Sequence, residues 1–299
     1  MGASILILDS NSILHRTFHA LPLLSTKEGT FTNAVYGFCL MLFRALKECD
    51  PQFVFACFDF PAKTFRHLKF KQYKIHRPKT PEELKTQISL TKELLKNLNV
   101  QVLEKEGFEA DDIIGTLCER LKDKEKLVLS GDYDNLQLVD EKTKVWVISS
   151  SPKEVLLFDE KKIKEKFGIL PQFLPDFKAL VGDPSDNVPG VPGIGPKTAQ
   201  RLIQQYGSVE TIFENLSQID KKLQDILQRE KEKIFFNKSL CQIRKDVPLE
   251  INWHQAEWKK FDPEKLISFF EKLEFKSLIK RIPELKTSSQ KNLPQKTLF

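Results

Sequence analysis

Short apolar runs rich in Ile, Val and Phe recur at Ser4–Leu8 (SILIL), Phe53–Phe58 (FVFACF), Lys126–Leu129 (KLVL) and Val145–Ile148 (VWVI). Unbroken runs of that length suit strands buried on both faces of a parallel sheet. Between them the pattern shifts to a helical period at Asn33–Glu48, Glu82–Asn97 and Ala110–Lys122. Leu84, Ile88, Leu95 and Leu98 fall on one face, as do Ile113, Ile114, Leu117 and Leu121. Strands alternating with helices predict an α/β fold with a parallel sheet. Beyond about residue 160 the strand runs cease, and helical patterns take over at Phe173–Leu180, Lys197–Tyr206, Val209–Asn215 and Lys231–Cys241. The pattern divides the chain into an α/β core over 1–170, a helical part over 171–285 and a polar tail over 286–299. That tail holds Pro294 and has no periodic apolar face.

The 299 residues are 40% hydrophobic, enough to bury a sizeable core. The longest apolar stretch, Ala34–Phe43, stops at Arg44, far short of the roughly 18 residues of a membrane helix. The N-terminus has no basic region and meets Asp9 early, which reads as cytoplasmic. Cys39, Cys49, Cys57, Cys118 and Cys241 are scattered, form no C-x-x-C pair and read as reduced core residues.

Charge matters by position more than by sum. The net +6 is small, but residues 61–80 hold seven basic residues and no acid: Lys63, Arg66, Lys69, Lys71, Lys74, Arg77 and Lys79. Aromatics at Phe65, Phe70 and Tyr73 interleave with them. Such a segment is either a solvated loop or a surface for a phosphate backbone and unstacked bases.

Acids cluster where strands end or helices begin: Asp9, Asp59, Glu109/Asp111/Asp112, Asp132/Asp134 and Asp183/Asp186. Each alone has a local explanation, as a helix cap or an Asx turn. In an open parallel sheet, however, the residues following the strands converge on one edge, where ligands bind. Crowded carboxylates there raise one another's pKa unless counter-charge arrives. An all-oxygen set without Cys or His favours Mg²⁺ or Mn²⁺ over Zn²⁺.

A second element lies in GVPGIGPKTA, residues 190–199, where Gly190, Gly193 and Gly195 precede Pro196, Lys197 and Thr198 at a helix start. Exposed backbone N–H groups at such a start bind anions, and Lys197 adds a point charge. This is the pattern of a helix-hairpin-helix, which grips duplex backbone without reading bases.

Taken together, LDSNSILHRTFHAL, FDFPAKTFRHLKFKQYKIHRP, GFEADDIIGTL, LSGDYDNLQLV and VGDPSDNVPGVPGIGPKTAQRLI resemble, in order, the 5′ to 3′ exonuclease domain of bacterial DNA polymerase I, a flap-endonuclease-like family. The match runs from about residue 4 to 205 and more weakly over Leu266–Ile282. The resemblance implies a PIN-like nuclease core with a helical arch over about 61–100, followed by the helix-hairpin-helix part. It implies a monomer that removes 5′ flaps and RNA primers from branched or nicked duplex DNA. Two Mg²⁺ ions, with Mn²⁺ as substitute, would lie about 4 Å apart astride the scissile phosphate. All nine acids above match the family's metal ligands. Arg66, Tyr73, Lys74 and Arg77 match its arch, with Lys74 and Arg77 meeting the phosphate and Tyr73 stacking on an unpaired base. Lys63, Lys69 and Lys71 would follow the strand, and Gly190, Gly193, Gly195, Lys197 and Thr198 the downstream duplex, often with K⁺.

The chain departs from the family at Ser10, where Gly is usual, and at His76, where Asn is. Two other classes stay open at this point: a degenerate module that binds branched DNA without cutting it, and another Mg-dependent PIN-type nuclease or phosphatase. A polymerase domain is expected as partner, either following in the same chain or acting in trans.

Overall fold

The structure, a computed structural model, describes residues 4–148 and 155–285. The expected tail at 286–299 lies outside the described residues. Six strands form one sheet: β1 (Ile5–Asp9), β2 (Phe53–Cys57), β3 (Gln101–Leu103), β4 (Lys126–Ser130), β5 (Thr143–Ile148) and β6 (Val155–Phe158). Their order is β3-β2-β1-β4-β5-β6, parallel throughout except for the antiparallel edge strand β6. Strands β1 and β2 pair with Asp9 opposite Cys57, and β1 pairs β4 with Leu8 opposite Leu129. The carboxyl ends of β1, β2 and β4 therefore share one edge, and the chain order reverses beside β1.

Alternate residues of these strands feed two cores. Ile5, Ile7, Phe55, Cys57, Val128 and Val145 point to one face; Leu6, Leu8, Val54, Ala56, Leu127 and Leu129 point to the other. Burial on both sides explains the unbroken apolar runs. Helices α1 (Ser10–Ala20), α2 (Asn33–Cys49) and α4 (Glu82–Asn97) pack together on the second face, and α5 (Ala110–Arg120) covers the first. A short α3 (Phe65–Lys69) precedes α4. Because α4 buries Leu84, Leu94 and Leu95 against the sheet's core, the segment free of that core ends near residue 80.

Helices α6 (Glu160–Phe167) and α7 (Leu174–Val181) lead into a small ribbon, β7 (Gly182–Asp183) with β8 (Val188–Pro189). Helices α8 (Pro196–Tyr206), α9 (Val209–Glu214), α10 (Lys221–Arg229) and α11 (Lys231–Cys241) complete the helical part. Its apolar residues, among them Val191, Ile194, Ala199 and Leu202, join the first core without a break. The last helices are α12 (Trp253–Ala256), α13 (Pro263–Lys272) and α14 (Lys276–Ile279). Leu266, Phe269, Phe270 and Leu278 return to the opposite face and join the second core. No helix among the described residues is long and apolar enough to cross a membrane. All five cysteines are free and buried, as expected.

Candidate active site and metal centre

The acids gather beyond the carboxyl ends of the strands, as the topology requires. Asp9 ends β1 and caps α1, its Oδ1 accepting from Ser12 N at 3.2 Å. Its Oδ2 accepts from Ser130 Oγ at 2.6 Å and from Asn135 Nδ2 at 3.3 Å. The same Asn135 nitrogen donates to Asp111 Oδ1 at 2.8 Å, tying the end of β1 to the start of α5. Asp59, exposed at the rim, accepts from Ala110 N at 2.8 Å. Asp132 follows β4, and its Oδ1 accepts from Asp134 N at 3.0 Å. Asp183 and Asp186 come from the ribbon and its 3-10 turn. Asp134, Asp183 and Asp186 each offer an oxygen within 4.8 Å of the others.

Like charges at this density have visible effects. Burial, reinforced by Asp132 and Asp59, pushes Asp9 up to about 6 despite its serine hydrogen bonds. Burial, Asp9 and Asp132 push Asp111 well above the carboxylate range. Burial and Asp132 raise Asp134 to about 6, against the pull of Lys178. Among the described residues the acids lining the cleft outnumber the cations paired with them, and the candidate ligands are carboxylate oxygens. The residues present therefore fit divalent cations of the Mg²⁺ or Mn²⁺ kind.

The basic segment over 61–80 supplies part of the counter-charge. Lys74 Nζ sits 2.9 Å from Glu109 Oε1, and Arg77 Nη2 sits 2.6 Å from Asp186 Oδ1. Against its burial, Lys74 and Arg66 hold Glu109 below the usual carboxylate range. Lys74 reaches inward from a left-handed backbone, φ 55°, whose N–H donates to Asp186 O at 3.1 Å. Such a conformation costs a β-carbon residue about 1–2 kcal/mol, strain held here by the surrounding ion pairs. Lys63, Lys69 and Lys71 are exposed along the same segment, and Phe70 packs on Val188, Leu240 and Cys241 as local core.

Four site expectations are corrected. Asp112 is fully buried and never faces the cleft. Its oxygens accept from Arg66 Nη1 at 2.7 Å, Arg66 Nη2 at 2.8 Å, Glu109 N at 3.1 Å and Arg244 N at 2.8 Å, so it is a structural anchor and not a metal ligand. Arg66 lies at the floor of the cleft with its guanidinium committed to the protein: it is 2% exposed and also donates to Leu240 O and Gln242 O. Tyr73 is 3% exposed, its hydroxyl donating to Asp186 Oδ2 at 2.7 Å and to Glu109 at 3.1 Å, so its ring is not offered to a base. Gly190 serves the ribbon: a Cβ there would lie 2.3 Å from Val181 O. Gly193, Gly195 and Lys197 are exposed at the start of α8, with Pro196 at its first turn and Thr198 half-buried. Ser10 opens α1 and, among the described residues, its buried Oγ has no hydrogen-bond partner, while His76 is exposed.

Sequence reasoning missed Asn135 and Lys178. Asn135 follows the D-x-D pattern directly, a signal that was present. Lys178 lies one helical turn and a bend before Asp183, and only the fold brings its ammonium onto Asp134 and onto Asp183 Oδ2 at 2.7 Å.

A mostly parallel sheet with a carboxylate cluster at its switch edge, beside a basic segment, makes a candidate site for metal-assisted phosphoryl transfer. Family models agree. The 5′-3′ exonuclease N-terminal resolvase-like domain matches residues 4–168 and the 5′-3′ exonuclease C-terminal SAM fold matches 169–264, so the chain belongs to the 5′-3′ exonuclease family. It is 41% identical over 290 residues to a 5′-3′ exonuclease of Aquifex aeolicus, covering 96% of this chain and 98% of that one. It is 40% identical over 283 residues to DNA polymerase I of Bacillus subtilis, covering 94% of this chain but 32% of that protein. The chain thus spans about a third of the length of the DNA polymerase I relatives it matches. Among solved structures, the bacteriophage T5 flap endonuclease in a complex with DNA and metal ions shares the fold. Its TM-score is 0.64 at 18% identity, covering 95% of this chain and 99% of that one.

Proposed function

We propose that this chain is a structure-specific 5′ to 3′ exonuclease and 5′ flap endonuclease that hydrolyses DNA and RNA-primer phosphodiesters with Mg²⁺ or Mn²⁺. The observation that carries the reading is the convergence of Asp9, Asp111, Asp132, Asp134, Asp183 and Asp186 beneath Lys74 and Arg77. The retained acids argue against a binding-only module, and a helix start exposing Gly193, Gly195 and Lys197 suits duplex backbone.

Asp9, Asp111 and Asp132 would hold one ion and Asp134, Asp183 and Asp186 a second, with Glu109 and Asp59 beside them. Bound there, the ions would lower the pKa of an attacking water and stabilise the leaving 3′ oxygen. Asn135 orients Asp9 and Asp111 by bonding both. Lys74 and Arg77 neutralise Glu109 and Asp186 until a phosphodiester offers its own oxygens, and then stabilise its charge. Lys63, Lys69 and Lys71 would follow the 5′ strand, and α8 with its preceding loop, with K⁺ as a candidate ion, the downstream duplex. The substrate would be branched or nicked duplex with a 5′ end, met by a monomer. The DNA polymerase I relatives support a polymerase partner in the same chain or in trans.

The test is Asp111→Asn. Loss of cleavage with flap DNA binding kept within a few fold is expected, and full activity of that variant in Mg²⁺ would overturn the assignment.

A further inference from the structure

The two halves of the carboxylate centre differ in one respect. Among the described residues, no Lys or Arg forms an ion pair within 4.0 Å with Asp9, Asp59, Asp111 or Asp132. The triad of Asp134, Asp183 and Asp186, by contrast, already contains a cation: Lys178 Nζ contacts Asp134 and lies 2.7 Å from Asp183 Oδ2.

The oxygens of the triad leave little choice of seat. Asp183 Oδ1 accepts from Ser185 N at 3.0 Å and Ser185 Oγ at 2.6 Å, which leaves Oδ2 as the oxygen without a serine donor, and Lys178 holds it. Asp186 gives its oxygens to Arg77 and Tyr73. Mg²⁺ and Mn²⁺ bind carboxylate oxygens at about 2.1 Å and tolerate little distortion, so an ion and an ammonium cannot share that oxygen without strong repulsion. Lys178 also has a way out. It projects from the last turns of α7, and its side chain keeps 24% exposure.

We propose that Lys178 is a resident counter-ion of the Asp134–Asp183–Asp186 seat, which a divalent ion occupies only by displacing the ammonium, so that this seat fills after the other and more weakly. Lys178 is then a positioning residue that sets the order of ion loading. The inference rests on the two-ion reading above.

The experiment is a Mn²⁺ titration of the whole chain followed by electron paramagnetic resonance, on wild type, Lys178→Gln and Lys178→Arg. Wild type is expected to bind two ions, the second more weakly. An opposite charge at this range changes proton affinity by about one to three decades, so Lys178→Gln should tighten the second ion by about tenfold or more. The first constant should stay within about twofold, and Lys178→Arg should keep the second ion weak. Two ions in both proteins with an unchanged or weaker second constant in Lys178→Gln would overturn this inference alone. One ion in both would overturn the two-ion reading and the inference together. A measurement on wild type needs no variant: amine acylation read by mass spectrometry should find Lys178 protected in EDTA and labelled once the second ion binds. Labelling that does not change with the second ion would overturn the displacement.

Discussion

Arg66 and Asp112 meet in a two-pronged ion pair, Nη1–Oδ2 2.7 Å and Nη2–Oδ1 2.8 Å, with side-chain exposures of 3% and 0%. The pair joins three segments distant in sequence, because Arg66 also reaches Leu240 O and Asp112 accepts from Arg244 N. It fixes α3 against α5 and α11, beside Glu109.

Removing one partner of a buried pair leaves the other charge uncompensated, at about 3–5 kcal/mol. Arg66→Ala should therefore lower unfolding stability by that order in urea, with Mg²⁺ absent. A loss below about 1 kcal/mol would show that Arg66 does not anchor α3.

Lys74→Ala is expected to slow cleavage at saturating flap DNA about a hundredfold, the usual scale for one charge-stabilising donor, while weakening binding far less. Single-turnover kinetics separate the two effects. An unchanged rate would remove Lys74 from the chemistry and leave it as a counter-ion of Glu109.

The strands and the acids at their ends were legible because parallel strands buried on both faces need continuous apolar runs, and the residues after them must share an edge. What the sequence concealed is long-range. SNSILHRTFHA reads as polar, yet Ile13, Leu14 and Thr17 make α1 a packed helix. Strand β3 has three residues and β6 is a half-buried edge, too short and too exposed to leave a pattern. Asp112 looks like its neighbour Asp111 until Arg66 arrives from 46 residues away. Tyr73 looks like a stacking ring until its hydroxyl finds Asp186, 113 residues on.

Metal-free stability should depend on pH through the crowded acids. Asp9 and Asp134, each raised to about 6, stabilise the fold when protonated and lose that contribution as pH rises through about 6. Ions bind the ionised forms. The rise in Tm on replacing EDTA with saturating Mg²⁺ should therefore be larger at about pH 7.5 than at about pH 5, by about 2–4 °C for each kcal/mol of linkage. An equal rise at both pH values would contradict the crowding.

Gly190→Ala should destabilise by about 1–3 kcal/mol, since its Cβ would sit 2.3 Å from Val181 O. Gly195→Ala, with nothing within 4 Å of its added carbon, should stay within about 1 kcal/mol. Thermal melts of the two variants check the distinction, and equal melting temperatures would contradict it.

The central claim is that the carboxylate centre cuts 5′ ends on branched duplexes. Cleavage of a 5′-end-labelled flap duplex, run with Mg²⁺, with EDTA and beside a matching 3′-flap duplex, tests it most directly. The account predicts Mg²⁺-dependent release of the 5′ flap alone; intact substrate in both Mg²⁺ and Mn²⁺, or equal cutting of the 3′ flap, would contradict it.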